Sequence, residues 1–596
     1  MSHFNKLGMK AIVKTLLFFA VCLVAITGFS ATPEAETNVF EASTPVVAEN
    51  EIDKLVFAQL EQANIHPVLC SDAVFVRRVY LDLLGTLPTA KEARDFIENK
   101  DEKNKRQLLV DQLLTREEFA DYWAMKWGDI LRIKAEFPVN LWPNAAQAYH
   151  HWVRESIANN KPYNEFVREM LTASGSNFRV GPVNFYRAVQ NRTPEEIARV
   201  VALTFMGTRA ENWPSNQLQG MGVFFSQIGY KPTGEWKEEH VFWNPLGTNV
   251  MAVSGAPGQA SITLLSSNAV RGSAPIANVN VPLDAVFPDG TKIHLSVDKD
   301  PREVFADWLI EPKNPWFSRA ISNRIWAWLM GRGIIQEPDD IRDDNPPSNP
   351  ALLEFLEKEM VAHHYDLKSF YRLILTSKTY QLAPVPMTAS DAKKPPIGYA
   401  IRRLEAEVII DAINKVVGAS DLYTSPIPEP FTYIPKGMPA VNIADGSITS
   451  SSLALFGRSA RATGLENERD NKPTPAQWLY LLNSSEIQRK LEQGTNLQSI
   501  ISGKREPSEV LNDIYLTVLS RFPTPEEIKV VEDYIQYAKN ETTQKADKTD
   551  TGSAANRPGK QKRMQNAARR SAAKVHEGWI DIAWALINSE EFLYRH

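Results

Sequence analysis

The stretch Asn314-Pro-Trp-Phe-Ser-Arg-Ala-Ile-Ser-Asn-Arg-Ile-Trp-Ala-Trp-Leu-Met-Gly-Arg-Gly333 carries the signals of one complete helix. Asn314 suits the N-cap, and Pro315 suits the first helical position. Gly331 or Gly333 supplies the left-handed residue at which a helix ends. The apolar residues between these ends are Trp316, Phe317, Ile321, Ile325, Trp326, Trp328 and Leu329. Their spacing of three or four over a wide face predicts a helix that is buried nearly all round.

Two polar residues, Asn323 and Arg324, lie in the middle of that apolar surface. An unpaired buried polar group costs roughly 1–3 kcal/mol, so each of them needs a partner. The acidic loop from Glu337 to Asp344 follows directly and is the expected supplier. This first candidate polar cluster consists of Asn323, Arg324, Arg332, Asp339 and Asp340.

Helical periodicity covers most of the chain on both sides of this stretch. It begins near Glu51 and is interrupted between about residues 229 and 300, where Gly, Pro, Ser, Thr and Val dominate. In that interruption Pro288-Asp-Gly290 is a turn signal before an alternating run, so Asp284 to Val297 is predicted to form a hairpin. The fold class is therefore mainly α: a multi-domain helical protein with a small β-rich insert between two helical domains.

A chain of 596 residues is too long for one core, so several domains are expected. We predict a signal peptide at 1–30, an exposed leader at 31–50, an N-terminal helical domain at 51–228, the β-rich insert at 229–300 and a C-terminal helical domain at 301–596. Residues 540–574 contain almost no large apolar side chain, and we expect a disordered, basic loop there because little apolar surface offsets its ordering entropy.

The N-terminus has the pattern of a secretory signal. Three lysines precede an apolar run from Leu16 to Phe29, which is short for a membrane span. We expect an exported protein in the periplasm, the cell envelope or outside the cell, with a membrane contact only if the signal segment stays uncleaved. Removal of the signal leaves Cys70 as the one cysteine, so no internal disulfide stabilises the fold.

An internal repeat predicts helical hairpins. Residues 80–92 align without a gap with residues 515–527, and residues 113–119 resemble residues 586–592. Each of the first pair contains a helix, a tight turn with Pro, and a second helix opened by Thr with Glu three positions later. We interpret the repeat as a structural unit and not as an active site.

The sequence names no reaction. It contains no phosphate-binding Gly loop, zinc-peptidase helix or nucleophile elbow, and its net charge of −5 does not indicate nucleic acid as a partner. The acidic loop does not have EF-hand spacing, and the histidines are isolated or adjacent in sequence, so we expect no metal and no cofactor.

A second candidate group is Arg403, Glu407 and Asp411. At spacings of four these residues would share one face of a helix. Two interpretations are open for them: a salt-bridged stripe, or paired carboxylates suited to general acid and base catalysis.

Two sets of motifs resemble a known pair of domains. Residues 72–88, with Tyr122-Trp-Ala-Met-Lys-Trp-Gly-Asp129, resemble the first of two domains of unknown function that occur together in exported proteins of planctomycete and verrucomicrobia type. Phe305-Ala-Asp-Trp-Leu309, residues 314–317, residues 323–326 and Thr376-Ser-Lys-Thr-Tyr-Gln381 resemble the second. The resemblance implies an association with cytochromes, and it transfers no activity.

One departure concerns haem. Many relatives carry a Cys-x-x-Cys-His motif where this chain has residues 205–216, which contain neither Cys nor His. Covalent haem attachment needs two thiols, so we expect none here.

Three functional hypotheses follow. The leading one is a non-catalytic exported protein that binds a partner protein or an envelope or external polysaccharide, with the β-rich insert and aromatic-rich surfaces as contact regions. The first alternative is a glycan-directed hydrolase or lyase that uses carboxylates. The second is a non-haem subunit of a cytochrome-associated redox system.

Overall fold

The computed structural model of the protein describes residues 38–42, 44–245, 250–253, 261–264, 283–384, 398–503, 505–547 and 560–596. The predicted signal peptide and the first part of the leader lie outside the described residues. In the described part no helix is both long enough and apolar enough to cross a membrane.

Helices dominate the architecture, as predicted. Those of the first half are α1 (Glu51–Gln62), α2 (Asp72–Leu84), α3 (Ala90–Glu98), α4 (Lys105–Leu113), α5 (Glu117–Ile130), α6 (Pro143–Ala158), α7 (Tyr163–Thr172), α8 (Asn184–Arg187), α9 (Pro194–Met206) and α10 (Ser215–Gly222). Those of the second half are α11 (Pro301–Ile310), α12 (Phe317–Met330), α13 (Pro350–Ala362), α14 (Leu367–Leu375), α15 (Ala406–Val417), α16 (Ser451–Leu455), α17 (Pro475–Asn483), α18 (Ser485–Gln493), α19 (Thr495–Ile501), α20 (Pro507–Leu519), α21 (Pro525–Asp547), α22 (Lys560–Ile587) and α23 (Glu590–Leu593).

The strands are short. They are β1 (Gly175–Ser176), β2 (Ile228–Pro232), β3 (Glu239–Trp243), β4 (Val250–Val253), β5 (Ser261–Leu264), β6 (Leu283–Val286), β7 (Lys292–Leu295), β8 (Arg402–Arg403) and β9 (Tyr594–Arg595). β1, β3 and β2 form an antiparallel sheet in that order. β6 pairs with β7 in register Leu283↔Leu295, so the predicted hairpin is confirmed.

The helix predicted from residues 314–333 is α12. Asn314 and Gly331 have the predicted roles at its two ends, but the regular helix starts later than predicted. Asn314 Oδ1 accepts hydrogen bonds from the backbone N–H groups of Trp316 and Phe317, at 3.0 and 3.2 Å. The regular helix starts at Phe317, because Pro315 and Trp316 complete this capping turn and do not belong to the helix. Gly331 has a φ of +84° and ends the helix, as its lack of a Cβ allows.

Helices from both halves of the sequence share one hydrophobic core. α1 packs against α13, α9 against α12, α7 against α11, and α3 against α20. The ring centroids of Trp123 and Trp127 on α5 lie 5.4 and 5.8 Å from that of Trp328 on α12. These contacts place the helix that dominates the sequence at the junction of the two halves. The domain boundaries given above stay predictions.

The sequence repeat corresponds to two similar helical hairpins. α2 ends at Gly85 and α20 ends at Ser520, and both residues have φ +61° and ψ 24°. Thr89 closes a capping box with Glu92 at the start of α3, and Thr524 exchanges the same pair of hydrogen bonds with Glu527 at the start of α21. The left-handed conformation at Ser520 shows that the turn geometry is kept although the glycine is not.

The prediction of disorder at 540–574 is wrong for the residues that the structure describes. Residues 540–547 continue α21, and residues 560–574 form the first part of α22. These segments are rich in Ala, Lys, Arg, Gln and Glu, which favour helix, and they extend two helices that pack against each other. Helix propensity and the packing of the two helices against each other therefore stabilise these segments, although they contain few large apolar residues. The remainder of the predicted loop lies outside the described residues.

Buried ion pairs join β9 to α2 and to the residues before α15. Arg595 on β9 contacts Asp82 on α2 at 2.8 Å and Glu405 at 2.5 Å. Asp82 also accepts hydrogen bonds from Arg402, Tyr380 and Tyr399, and Glu405 also pairs with Lys126 at 2.5 Å. All these charged side chains are buried or nearly so.

A second set of ion pairs adjoins the first on α5. Asp129 pairs with Arg461 at 2.9 Å and with Arg469 at 2.7 Å. Glu407 pairs with the same Arg469 at 2.5 Å and with Arg458 at 3.1 Å. The two sets together are called the buried ion network: Asp82, Lys126, Asp129, Arg402, Glu405, Glu407, Arg458, Arg461, Arg469 and Arg595.

Replacing Arg595 tests how much this network contributes to the free energy of unfolding. Arg595→Ala leaves Asp82 and Glu405 without their shared cation, and the loss of one partner from a buried pair costs about 3–5 kcal/mol. We expect that loss in the free energy of unfolding, measured by denaturant titration. The matched control is Arg342→Ala, whose side chain is 48% exposed in its pair with Asp340 and Asp344. Its expected cost is about 0–1 kcal/mol, and equal losses in the two variants would contradict a structural role for the network.

Candidate functional site

The first candidate polar cluster is divided in the structure. Arg324 is buried on α12 and donates to the backbone carbonyls of Thr204 and Leu203, at 2.7 and 3.3 Å. Asn323 bonds to both the N–H and the C=O of Ile335 at 2.9 Å. The expectation that acidic side chains would supply their partners is wrong, because their hydrogen bonds go to backbone groups at the end of α9 and in the loop after α12. Both residues therefore hold the packing of neighbouring elements.

The acidic loop from Glu337 to Asp344 pairs with an arginine outside the predicted cluster. Arg209, which follows α9, contacts Glu337 at 2.6 Å and Asp339 at 2.9 Å. The other oxygen of Asp339 accepts a hydrogen bond from the backbone N–H of Glu466 at 3.1 Å. Asp339 is therefore buried and fully engaged in joining three segments.

The remaining two members of the cluster lie nearer the surface. Asp340 pairs with Arg342 at 3.3 Å, and Arg332 is half-buried after the end of α12. The structure therefore buries Asn323 and Arg324 in the core and Asp339 in a separate set of loop contacts. Asp340 lies near the surface. They do not form one pocket.

The second candidate group does not form a stripe. Arg403 lies on β8, before α15 begins, and donates to the backbone carbonyls of Phe456, Asp470 and Asn471. The extended backbone before residue 406 moves it off the helix face that spacing alone implied. Glu407 belongs instead to the buried ion network, where burial alone would raise its pKa. The guanidinium groups of Arg469 and Arg458 overcome burial and lower that pKa to about 2.

Asp411 differs from the other acids in this region because its two oxygens accept backbone hydrogen bonds. The N–H groups of Ala440 and Val441 donate to it at 2.7 and 3.0 Å. Burial raises the pKa of Asp411 to about 7, with further raising by the charges of Glu407 and Asp421, and the two N–H groups oppose the rise only in part.

The raised pKa of Asp411 gives a pH dependence of stability with a definite sign. Between pH 4 and pH 7 the folded state holds a proton that the unfolded state has lost, so the contribution of Asp411 to stability falls as pH rises through this window. We expect the unfolding free energy of the parent protein to fall, relative to that of Asp411→Asn, as the pH rises from 4 to 7. Denaturant titrations at several pH values measure it, and a difference that does not change with pH would contradict the assignment.

Arg324→Ala tests the structural role of the first cluster. It removes a buried guanidinium and leaves two carbonyls with one partner fewer, and bonds of this kind are worth about 1.5–3 kcal/mol. We expect a lower midpoint of thermal unfolding. Arg332→Ala, in the same stretch, is the control and should change stability by about 0.5 kcal/mol or less. An unchanged midpoint for Arg324→Ala would show that the residue is free to act in function.

A metal centre is not visible in the parts of the chain that the structure describes, where no three His, Cys, Asp or Glu side chains are placed to hold an ion.

Aromatic side chains from three distant segments meet at the surface. The ring of Trp142 lies 5.3 Å from that of Phe431, measured between centroids. The Nζ atom of Lys237 lies 5.8 Å from the ring centre of Trp142 and 5.4 Å from that of Trp236. Trp236 is 70% exposed and Phe431 is 48% exposed. We call Trp142, Trp236, Lys237 and Phe431 the aromatic surface.

The backbone beneath the aromatic surface is held in unusual conformations. Trp142 has a φ of +74° and Lys237 a φ of +65°, a left-handed region that residues with a Cβ adopt at a cost. Trp142 is fixed by a hydrogen bond from its N–H to the carbonyl of Ala135. Lys237 is fixed because its carbonyl accepts from the amide of Asn177. These hydrogen bonds hold the backbone at both residues in place.

Sequence reasoning expected contacts on the β-rich insert and on aromatic-rich surfaces, and it did not name these residues. Trp236 and Lys237 lie in the turn between β2 and β3, Trp142 directly precedes α6, and Phe431 lies between α15 and α16. Apart from the neighbours Trp236 and Lys237, nothing in their sequence spacing relates these residues, so only the fold brings the three segments together.

Comparison with known families gives two matches. Residues 51–213 match PSCyt2, described as a protein of unknown function (DUF1549), and residues 301–535 match PSD1, described as a protein of unknown function (DUF1553). Their order is the one that the motifs predict. The chain belongs to the proteins that carry this pair of domains.

The aromatic surface draws on both members of the domain pair. Trp142 lies in the PSCyt2 match, Phe431 in the PSD1 match, and Trp236 and Lys237 between the two. No curated protein and no solved structure matches the chain. The family descriptions name no activity, so function has to be argued from the surface itself.

Proposed function

We propose that this protein is an exported polysaccharide-binding protein and that the aromatic surface is its contact region. The observation that carries the proposal is that the rings of Trp142 and Trp236 flank the exposed cation Lys237, while the half-exposed ring of Phe431 packs against Trp142. Exposed aromatic clusters are uncommon on soluble proteins and mark interaction sites.

The chemistry of the aromatic surface suits sugars. A pyranose ring has an apolar C–H face that packs flat against an aromatic ring, and the rigid indoles of Trp142 and Trp236 offer that contact at little cost in side-chain entropy. The ammonium group of Lys237, near both indole rings, can donate to hydroxyl, ring or carboxylate oxygens of the same ligand. A chain of sugar residues can thus meet an apolar plane and a polar donor together.

A hydrolase or lyase would need a free carboxylate. The four buried carboxylates of the ion network, Asp82, Asp129, Glu405 and Glu407, each contact at least one arginine. Burial would raise the pKa of Glu405, but Arg595 and Lys126 hold it well below its usual range, so it stays ionised and cannot deliver a proton. This pairing argues against these four carboxylates as catalytic acids. The redox alternative stays a prediction without a structural observation in its favour.

Trp236→Ala tests the proposal. We expect the parent protein to be retarded in native gels that contain laminarin, xylan or alginate, and the variant to bind the retarding polymer about tenfold more weakly, because one central aromatic contact is worth 1 kcal/mol or more. Since Trp236 is largely exposed, its removal should leave the midpoint of thermal unfolding unchanged.

Tyr537→Ala is the matched control, since Tyr537 is 61% exposed on α21 and lies outside the aromatic surface. Its retardation should equal that of the parent. Equal retardation of all three proteins would overturn the proposal. If no polymer retards the parent protein, the partner-protein hypothesis gains instead, and a pull-down from envelope extract would follow.

A further inference from the structure

The cation of the aromatic surface has no counter-ion. Lys237 is exposed, and its Nζ atom lies 5.4 Å from the ring centre of Trp236 and 5.8 Å from that of Trp142. Among the residues that the structure describes, no carboxylate lies within 4.0 Å of this atom. Two neighbouring rings attract the ammonium group and take the place of part of its water. Lys237 is therefore a positioned cation that is open to an anionic group from a ligand.

The acids nearest to Lys237 in the sequence are bound to other groups. Glu235 and Glu238 lie in the same turn between β2 and β3, and Glu239 is the first residue of β3. Their partners are Arg179 for Glu235, the hydroxyl groups of Ser176 and Thr233 for Glu238, and Arg187 and Arg192 for Glu239, at distances of 2.5 to 3.8 Å. The hairpin thus leaves the charge of Lys237 without a carboxylate although three are close in sequence.

The position of this cation favours a carboxylate that is carried by the sugar ring itself. In a uronate residue the carboxylate replaces the hydroxymethyl group at the edge of the ring, and the C–H face stays apolar. Such a ring can lie against the indole of Trp236 or Trp142 with its carboxylate directed at Lys237, because the cation lies close to both indoles. A hydrogen bond between two charged groups is roughly twice as strong as one between neutral groups.

The charge of the whole protein does not provide this preference. The chain has a formal net charge of −5, so it repels a polyanion at long range. Tighter binding of an acidic polymer than of its neutral counterpart must therefore come from a local cation.

We propose that the aromatic surface selects polysaccharides built from uronate residues, with Lys237 as the specificity-determining residue. Its ammonium group pairs with a carboxylate while an indole packs against the face of the same sugar ring. The inference rests on the proposed function, because it names the class of polysaccharide that the same surface takes.

The test compares two polyuronates, alginate and polygalacturonate, each with its own methyl ester. Esterification removes the charge and keeps the backbone of the polymer. We expect the full chain to bind at least one polyuronate about fivefold more tightly than its ester in affinity gels at low salt, the upper range for one exposed ion pair. The difference should disappear at about 1 M NaCl, where the Debye length is about 3 Å.

Three variants assign this preference to one side chain. Lys237→Met keeps a long side chain without the charge, so it should bind the polyuronate and its ester equally, at the strength with which the parent binds the ester. Lys237→Arg keeps the charge and should keep the preference. Lys91→Met is the matched control: it removes the same charge from a side chain that is 83% exposed on α3, outside the aromatic surface, and should behave as the parent does.

The inference is overturned if neither polyuronate is bound more tightly than its ester, or if Lys237→Met keeps the preference. Trp236→Ala separates this failure from that of the proposed function, because loss of the ring should weaken a polyuronate and its ester alike. If Trp236→Ala weakens both polymers and Lys237→Met weakens neither, the proposed function stands and this inference alone falls. If the parent binds none of the four polymers, this inference falls, and the proposed function is judged on laminarin and xylan.

Discussion

The fold depends on the pairing of charges that it buries. Moving a carboxylate or a guanidinium out of water costs several kcal/mol, and only a well-placed partner offsets that cost. Arg595, next to the end of the chain, lies between Asp82 of α2 and Glu405, which precedes α15, so segments more than 300 residues apart in sequence must be in place together. The hydrophobic core alone is non-directional, and these pairs fix how the two halves meet.

That junction also creates the aromatic surface. The aromatic surface combines Trp142, Trp236 and Phe431 from the first matched domain, the segment between the domains, and the second matched domain. Because the aromatic surface does not exist within one matched domain, its arrangement depends on the relative placement of the two domains. This dependence links the buried ion network to the proposed contact region.

The sequence predicted well wherever a signal is local. The capping oxygen of Asn314, the stop at Gly331, the β6–β7 hairpin and the repeated Thr–Glu capping boxes all depend on neighbours within a few residues. It failed where a partner comes from a distance. The sequence matches Arg324 with the nearest acids, but the structure shows it bound by carbonyls at the end of α9. The sequence places Arg403 on a helix, but that helix begins three residues later.

The sequence by itself therefore determined the mainly α fold, the β-rich insert and the membership in the paired domains, since periodicity, turn residues and motifs are properties of contiguous residues. The tertiary structure decided which charges pair and which aromatic rings remain exposed. These are properties of side chains far apart in sequence, and many placements of amphipathic helices satisfy the same periodicity. The pairing of buried charges at bonding distance, as in the buried ion network, favours one of these placements.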